Sequence, residues 1–212
     1  MGTIERKERE KADRKKSIIK AAKELFLLKG FDNTTLKEIA KKSELAKGTL
    51  YLYFENKEDI YFAVIHKETS KLVQKIVEVS KQEIKGIDKL EEISIFLYGY
   101  YKKYPEIIEA IWYADYIGAK KGITPYQKLS SQEDAKIFKL ITEIIATGIE
   151  DGSIKNDINP VKTAIVITKI MMNMIGLLLN ADEYEQTPLH KEMTVEEIYY
   201  STFEIIKSSL TK

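Results

Sequence analysis

The stretch from Thr35 to Asp59, TLKEIAKKSELAKGTLYLYFENKED, constrains the fold more than any other part of the chain, because it reads as two short helices closed by a tight turn. Thr35 followed three residues later by Glu38 has the form of a capping box, in which hydroxyl and carboxylate each satisfy an orphan backbone N–H at a helix start. Leu36, Ile39 and Ala40 then share one face, while Lys37, Lys41 and Lys42 point elsewhere. Ser43, Glu44 and Leu45 supply the turn. A second helix is predicted from Lys47 to Phe54, opening on the small residues Gly48 and Thr49. Its eight residues, at a rise of 1.5 Å each, make a rod of about 12 Å, short enough to lie in a DNA major groove roughly 12 Å wide. Small residues at its start let a backbone come close.

A helix ahead of this pair is expected from about Asp13 to Lys29, where Ile18, Ala22, Leu25, Phe26 and Leu28 recur at helical spacing. Gly30 stops it in a position suited to a left-handed cap, with Phe31 able to fold back onto the helix end. After Phe54 the sequence ENKED restarts a helix at Asn56, which should run past Ile76 and Val79 because no glycine or proline intervenes before Gly86. Further helices are predicted near 88–103, 105–118, 131–150, 160–181 and 195–210, separated by glycines and prolines. No stretch shows the sustained period-two alternation of strands, so the fold class is all-α. A head at 1–56 and a helical body at 57–212 are the expected domains.

Charge divides the chain in the same place. Residues 1–58 carry 15 Lys/Arg against 10 Asp/Glu, a net of +5, and the remaining residues carry 19 against 23. A basic head on a mildly acidic body suits a polyanion partner, although a solvated charged surface produces the same count. The chain has no cysteine, which excludes disulfides, thiol nucleophiles and thiolate zinc sites and fits a reducing cytoplasm. The charged start ERKEREKADRKK carries no apolar signal core, and the longest apolar run, Ala164 to Leu179, is broken by Lys169 and Asn173. No membrane partner is expected. Neither GxxxxGK, GxSxG nor HExxH occurs, and the two histidines, His66 and His190, stand far apart.

Taken in order, Ala22, Leu25–Phe26, Gly30–Phe31, Thr34–Thr35, Ile39–Ala40, Gly48–Thr49–Leu50–Tyr51, Tyr53–Phe54 and Lys57–Glu58 resemble the N-terminal signature of the TetR family of transcriptional repressors. The resemblance implies a three-helix helix-turn-helix DNA-binding head followed by a helical ligand-binding and dimerisation body, with no enzyme activity, no cofactor and no metal. It implies a cytoplasmic homodimer on a double-stranded, palindromic operator, released by a small hydrophobic or aromatic effector. A helical small-molecule or protein-interaction module without DNA binding is the alternative. Two positions depart from the family pattern: Glu44 stands where glycine is usual and Ala46 where serine is usual. Glu44 risks a steric cost in a left-handed turn, and Ala46 lacks the side-chain oxygen of a cap, typically worth ~1 kcal/mol.

By the same resemblance Lys47, Gly48, Thr49, Tyr51 and Tyr53 meet the DNA, while Leu50 and Phe54 hold the recognition helix to its core. Lysine suits guanine O6/N7, a threonine methyl suits thymine, and tyrosine hydroxyls suit phosphate. Thr35, Lys37 and Lys57, at or near helix starts, are expected phosphate contacts. Arg6, Arg9, Arg14 and Lys15 form either an arm along the phosphates or a solvated tail. In the body, Tyr101, Trp112, Tyr113 and Tyr116 are candidates to line an effector pocket, with Met171 and Met174 adding deformable apolar surface; core packing accounts for them equally well. Ile167, Ile170, Leu178, Tyr199, Phe203 and Ile206 are the expected dimer face.

Overall fold

The computed structural model describes residues 2–121 and 125–212, and these form helices joined by short turns, with no strand among them. The order is α1 (Thr3–Lys29), α2 (Leu36–Lys42), α3 (Lys47–Leu50), α4 (Lys57–Ser80), α5 (Gly86–Lys103), α6 (Pro105–Lys121), α7 (Pro125–Glu150), α8 (Pro160–Gly176), α9 (Ala181–Glu185) and α10 (Val195–Leu210). Two boundaries differ most from expectation. α1 begins at Thr3 rather than near Asp13, because the charged stretch is itself a helix former: Glu5 caps the Gly2 amide at 3.1 Å and Arg6 pairs with Glu10 one turn on at 3.0 Å. α8 ends at Gly176, where the chain tightens into a 3₁₀ turn, Leu177–Asn180, instead of running to 181.

The chain divides into two compact units, Met1–Thr69 with Ala110–Ser131, and Ser70–Glu109 with Gln132–Lys212. The first division therefore falls at Thr69 rather than at 56, for a packing reason. Ile60, Tyr61, Phe62, Val64 and Ile65 of α4 are buried in one cluster with Ile18, Ala22, Leu25 and Phe26 of α1, and Ala110 and Ala114 of α6 join it. Tyr61 stands at its centre, edge-on to Phe26 and Phe31 at 5.0 and 4.9 Å, with its hydroxyl donating to the Ala110 carbonyl at 3.0 Å. The first half of α4 is thus core of the head.

In the second unit α5, α8 and α10 pack together, with Tyr199 wholly buried. Its hydroxyl donates to the Ser94 carbonyl at 2.9 Å and accepts from the Ser94 hydroxyl at 3.3 Å. The start of α5 meets the end of α7 at a pair of glycines, Gly86 and Gly148, whose backbones touch. The loop after α7 caps α5: the Asp151 carboxylate accepts from the Gly86 amide at 2.7 Å and the Ser153 hydroxyl accepts from the Ile87 amide at 3.3 Å. Burial works against the Asp151 carboxylate, but hydrogen bonds from Ser153 and Gly86 outweigh it and hold the group below the usual range.

Candidate functional site

The helix pair of the head is built as its sequence requires. Thr35 caps α2: its Oγ1 accepts from the Glu38 amide at 3.3 Å, and the Glu38 carboxylate accepts from the Thr35 amide at 2.9 Å. Lys29 pairs with the same carboxylate at 2.5 Å, and this bond, ahead of those from Thr35, pushes Glu38 down to about 2. α2 then closes in a Schellman turn, with the Leu45 amide donating to the Ala40 carbonyl at 2.9 Å and the Glu44 amide to the Lys41 carbonyl at 3.2 Å. That closure needs a left-handed residue, and Glu44 supplies it at φ 58°, the one non-glycine residue with positive φ among those described. Glu44→Gly is therefore expected to stabilise the head by about 1 kcal/mol, read as a higher urea midpoint at unchanged slope. A lower midpoint would show that the Glu44 side chain contributes more than its backbone costs.

α3 is shorter than predicted. Only Lys47–Leu50 is α-helix, and the chain continues to Phe54 as tight turns, held by bonds from Leu52 to Thr49 and from Tyr53 and Phe54 to Leu50. Ala46 gives no side-chain cap, as its chemistry dictates. Even so, the segment separates an anchored side from an outward one, with the apolar Leu52 left exposed at 75%. Leu50 and Phe54 are buried in the head core, while Lys47, Gly48 and Tyr51 are exposed and Thr49 is half-buried. A Cβ on Gly48 would meet nothing within 4 Å, so this backbone is open to close approach. Thr35 and Lys37 are exposed on α2. Tyr53 is half-buried and packs its ring against the core, leaving it less to offer a partner than Tyr51.

Lys57 corrects the expectation of a phosphate contact. Its ammonium donates to the carbonyls of Phe31 at 2.8 Å, Thr34 at 3.0 Å and Asp32 at 3.4 Å, and lies 4.1 Å from the centre of the Phe31 ring. Three acceptors exhaust three donors. Lys57 is a latch that ties the first turn of α4 to the loop between α1 and α2.

The second unit contains a narrow cavity of about 90 Å³. Leu72 and Ile76 of α4 line it, with Tyr101, Met171, Met172 and Phe203, and its few polar groups include Ser94 and Thr168. Tyr101 is 2% exposed, and burial pushes its phenol above the ordinary tyrosine range, so it stays a neutral hydroxyl. Of the six pocket candidates, Tyr101 and Met171 are in the wall. Trp112 and Tyr113 are not: both belong to the first unit, where Tyr113 packs on Phe31 and donates to Asp32 at 2.7 Å and Trp112 is 45% exposed. Met174 instead accepts from the Thr202 hydroxyl at 3.4 Å. The side chain of Tyr116 lies outside the described residues. The aliphatic lining was missed because Leu72 and Ile76 carry the same periodic signal as any core residue.

The expected dimer face also turns inward. Ile167, Tyr199, Phe203 and Ile206 are buried within their own protomer, and Ile167 and Phe203 line the cavity. Ile170 is half-buried, and the Leu178 side chain lies outside the described residues. The exposed apolar residues of these helices are Val161, Ile165 and Val166 of α8 and Ile205 of α10. Helical periodicity selects a buried stripe before an interface stripe, because the core is the stronger pattern. Among the described residues no helix is long and apolar enough to cross a membrane.

The model of bacterial regulatory proteins of the tetR family matches residues 18–64. The uncharacterised HTH-type transcriptional regulator YhgD of Bacillus subtilis is 27% identical over 85% of this chain and 90% of its own length. The HTH-type transcriptional regulator QacR of Staphylococcus aureus is 35% identical over 48% of this chain and 55% of its own. Among solved structures, the regulator FadR of Bacillus subtilis in complex with stearoyl-CoA has the same fold, with a TM-score of 0.69 over 92% of this chain and 98% of its own at 18% identity.

Proposed function

The chain belongs to the TetR family of bacterial regulatory proteins and is a DNA-binding, ligand-responsive transcriptional regulator, and we propose that it is a cytoplasmic repressor, released from a palindromic operator by a small apolar effector. The observation that carries this reading is the division of the segment from Lys47 to Phe54: Leu50 and Phe54 are buried in the head, and Lys47, Gly48 and Tyr51 are presented outward, with Leu52 exposed beside them. Thr35, Lys37, Lys47, Gly48, Thr49 and Tyr51 are the residues assigned to DNA, with Lys47 and Thr49 at base edges and Tyr51 and the start of α2 at phosphates. The named relatives are regulators, which favours a role without catalysis.

The effector enters the account through α4. This one helix supplies Tyr61 to Ile65 to the head core and Leu72 and Ile76 to the cavity wall. A ligand that parts the wall biases the same helix that anchors the head, which is the differential contact a release mechanism needs. The cavity, about 90 Å³, is far smaller than the usual ligand pocket of ~300 Å³ or more, so an effector of ordinary size must widen it. Its largely aliphatic lining and three hydroxyl-bearing residues, Ser94, Tyr101 and Thr168, favour a flexible apolar chain over an aromatic cation.

The dimer face is assigned to the outward sides of α8 and α10. Val161, Ile165, Val166 and Ile205 provide apolar area. Lys162 and Lys169 lie two turns apart on α8, and Glu197 and Glu204 lie two turns apart on α10, so opposite charges meet where α8 of one protomer is set against α10 of its partner. The test uses the duplex that the wild-type chain enriches from a random pool. Lys47→Ala with Tyr51→Ala should weaken its binding by a hundredfold or more, since each lost contact is worth ~1–3 kcal/mol. Sedimentation should show both proteins as the same dimer at micromolar concentration. Undiminished binding by the double variant would refute the assigned face, and a monomeric wild type would refute the dimer.

A further inference from the structure

We infer that the first four turns of α1 form a second DNA-binding face, a rigid row of cations that follows the phosphate backbone beside the stretch met by α3. This inference rests on the DNA-binding reading above and adds a contact surface to it. α1 is continuous from Thr3, yet none of residues 5–17 is buried and the buried stripe begins at Ile18, so this stretch stands outside the head core. At 3.6 residues per turn, Lys7, Lys11, Arg14 and Lys15 fall within about 100° of arc. No carboxylate lies between them; Glu8 and Glu10 border the arc, and Glu5 and Asp13 lie farther round.

The direction of that arc is set by the rest of the helix. Continued toward the C-terminus, it becomes Ile18, Ala22 and Leu25, the buried stripe against which the head packs. The cations therefore stand on the side of α1 that the head occupies one turn later. The row also touches the recognition segment: the Lys15 ammonium lies 5.7 Å from the centre of the Phe54 ring, and Phe54 closes the turns that carry Tyr51. From Lys15 the row leads outward through Arg14 and Lys11 to Lys7.

The charges of this segment are also segregated by sign. On the remaining faces of the segment, acids and bases alternate and pair, Arg6 with Glu10 at 3.0 Å and Asp13 with Lys16 at 3.8 Å. Along the row, by contrast, Lys7 and Lys11 stand at four-residue spacing, where like charges repel, with Arg14 next, while Lys15 at the inner end faces the Asp59 carboxylate. A helix selected only for solubility would mix signs on every face. A row of one sign costs helix stability until a polyanion covers it, and a duplex supplies one charge per ~1.7 Å of axis.

The experiment compares three full-length proteins: the wild type, Lys7→Gln with Lys11→Gln and Arg14→Gln, and a control of equal charge change, Arg6→Gln with Arg9→Gln and Lys16→Gln. Lys15 is left in place because it packs on Phe54. Glutamine keeps helix propensity, which equal far-UV circular dichroism will verify. Binding to a mixed-sequence duplex of about 40 base pairs is followed by anisotropy from about 50 to 200 mM KCl. Each phosphate contact contributes about 0.9 to the slope of log affinity against log salt, so the row variant should lose about 3 per protomer. Its affinity at the lowest salt should fall more than tenfold, and the control should stay within about twofold of wild type in affinity with an unchanged slope. A row variant with the wild-type slope, or equal losses in both variants, overturns the inference. A wild-type chain that fails to bind the duplex at low salt overturns the DNA-binding reading itself.

Discussion

Gly86→Ala is expected to lower the unfolding midpoint of the second unit by roughly 10 °C, the largest single-residue effect the packing suggests. An added Cβ would sit 2.5 Å from the Gly148 amide nitrogen and 2.7 Å from the Ile144 carbonyl oxygen. Both obstacles are backbone, so no side-chain rotation relieves them and α5 must move off α7. Moving it also strains the cap in which Gly86 and Ile87 donate to Asp151 and Ser153. A cost of about 3 kcal/mol or more follows, at the upper end of what an inserted methyl does in a packed core. Two further glycines make the experiment decisive. At Gly148 the new atom would meet the Ile154 side chain at 2.6 Å, which can partly give way, so Gly148→Ala should cost less. At Gly99, within α5, nothing lies within 4 Å, and Gly99→Ala should stabilise by ~1 kcal/mol through helix propensity alone. Calorimetry that ranked the three otherwise would show that the two helices are not held at this contact.

What could be read from the sequence was whatever short-range chemistry determines. The capping box at Thr35, the left-handed turn at Glu44, the uncapped start at Ala46 and the glycine stop at Gly30 all depend on residues within a few positions of each other. The head core followed too, because Ile18, Ile39 and Leu50 are spaced by the same periods that bury them. Periodicity, however, reports only that a residue is on an apolar stripe. It does not say whether the stripe faces the core, a cavity or another molecule, and Tyr199 and Phe203, on a stripe that suits an interface equally well, are inside. Aromatic content misled for a related reason: Trp112 and Tyr113 lie close in sequence to Tyr101 but on a helix segment that packs into the other unit. The Gly86–Gly148 contact joins residues far apart in the chain and leaves no local trace, since neither glycine has positive φ.

The role of Lys57 is the sharpest case of a residue whose position is legible and whose function is not, and Lys57→Met separates the two readings. A lysine at a helix start beside a DNA-binding segment looks like a phosphate contact. If it were one, methionine would leave stability alone and reduce the salt slope of DNA binding by about 0.9 per protomer. The geometry gives the opposite expectation. Methionine keeps the apolar stem over Phe31 but strands the carbonyls of Phe31 and Thr34, in a loop whose further ties include the Thr34 hydroxyl, donating to Gly30 at 2.8 Å and Leu25 at 3.2 Å, and Tyr113 on Asp32 at 2.7 Å. Hydrogen bonds from a charged donor contribute ~1.5–3 kcal/mol together with a cation–π contact of ~0.5–1, so the head should lose about 2–3 kcal/mol of stability. Below its unfolding transition the variant should bind with the wild-type salt slope, because no phosphate contact has been removed. The affinity should fall only as far as the loop before Thr35 loosens, since that loop sets where α2 begins and hence where its first turn points. Chemical denaturation and a salt titration on the same protein thus move in opposite senses for the two readings, and a shallower slope at full stability would return Lys57 to the DNA.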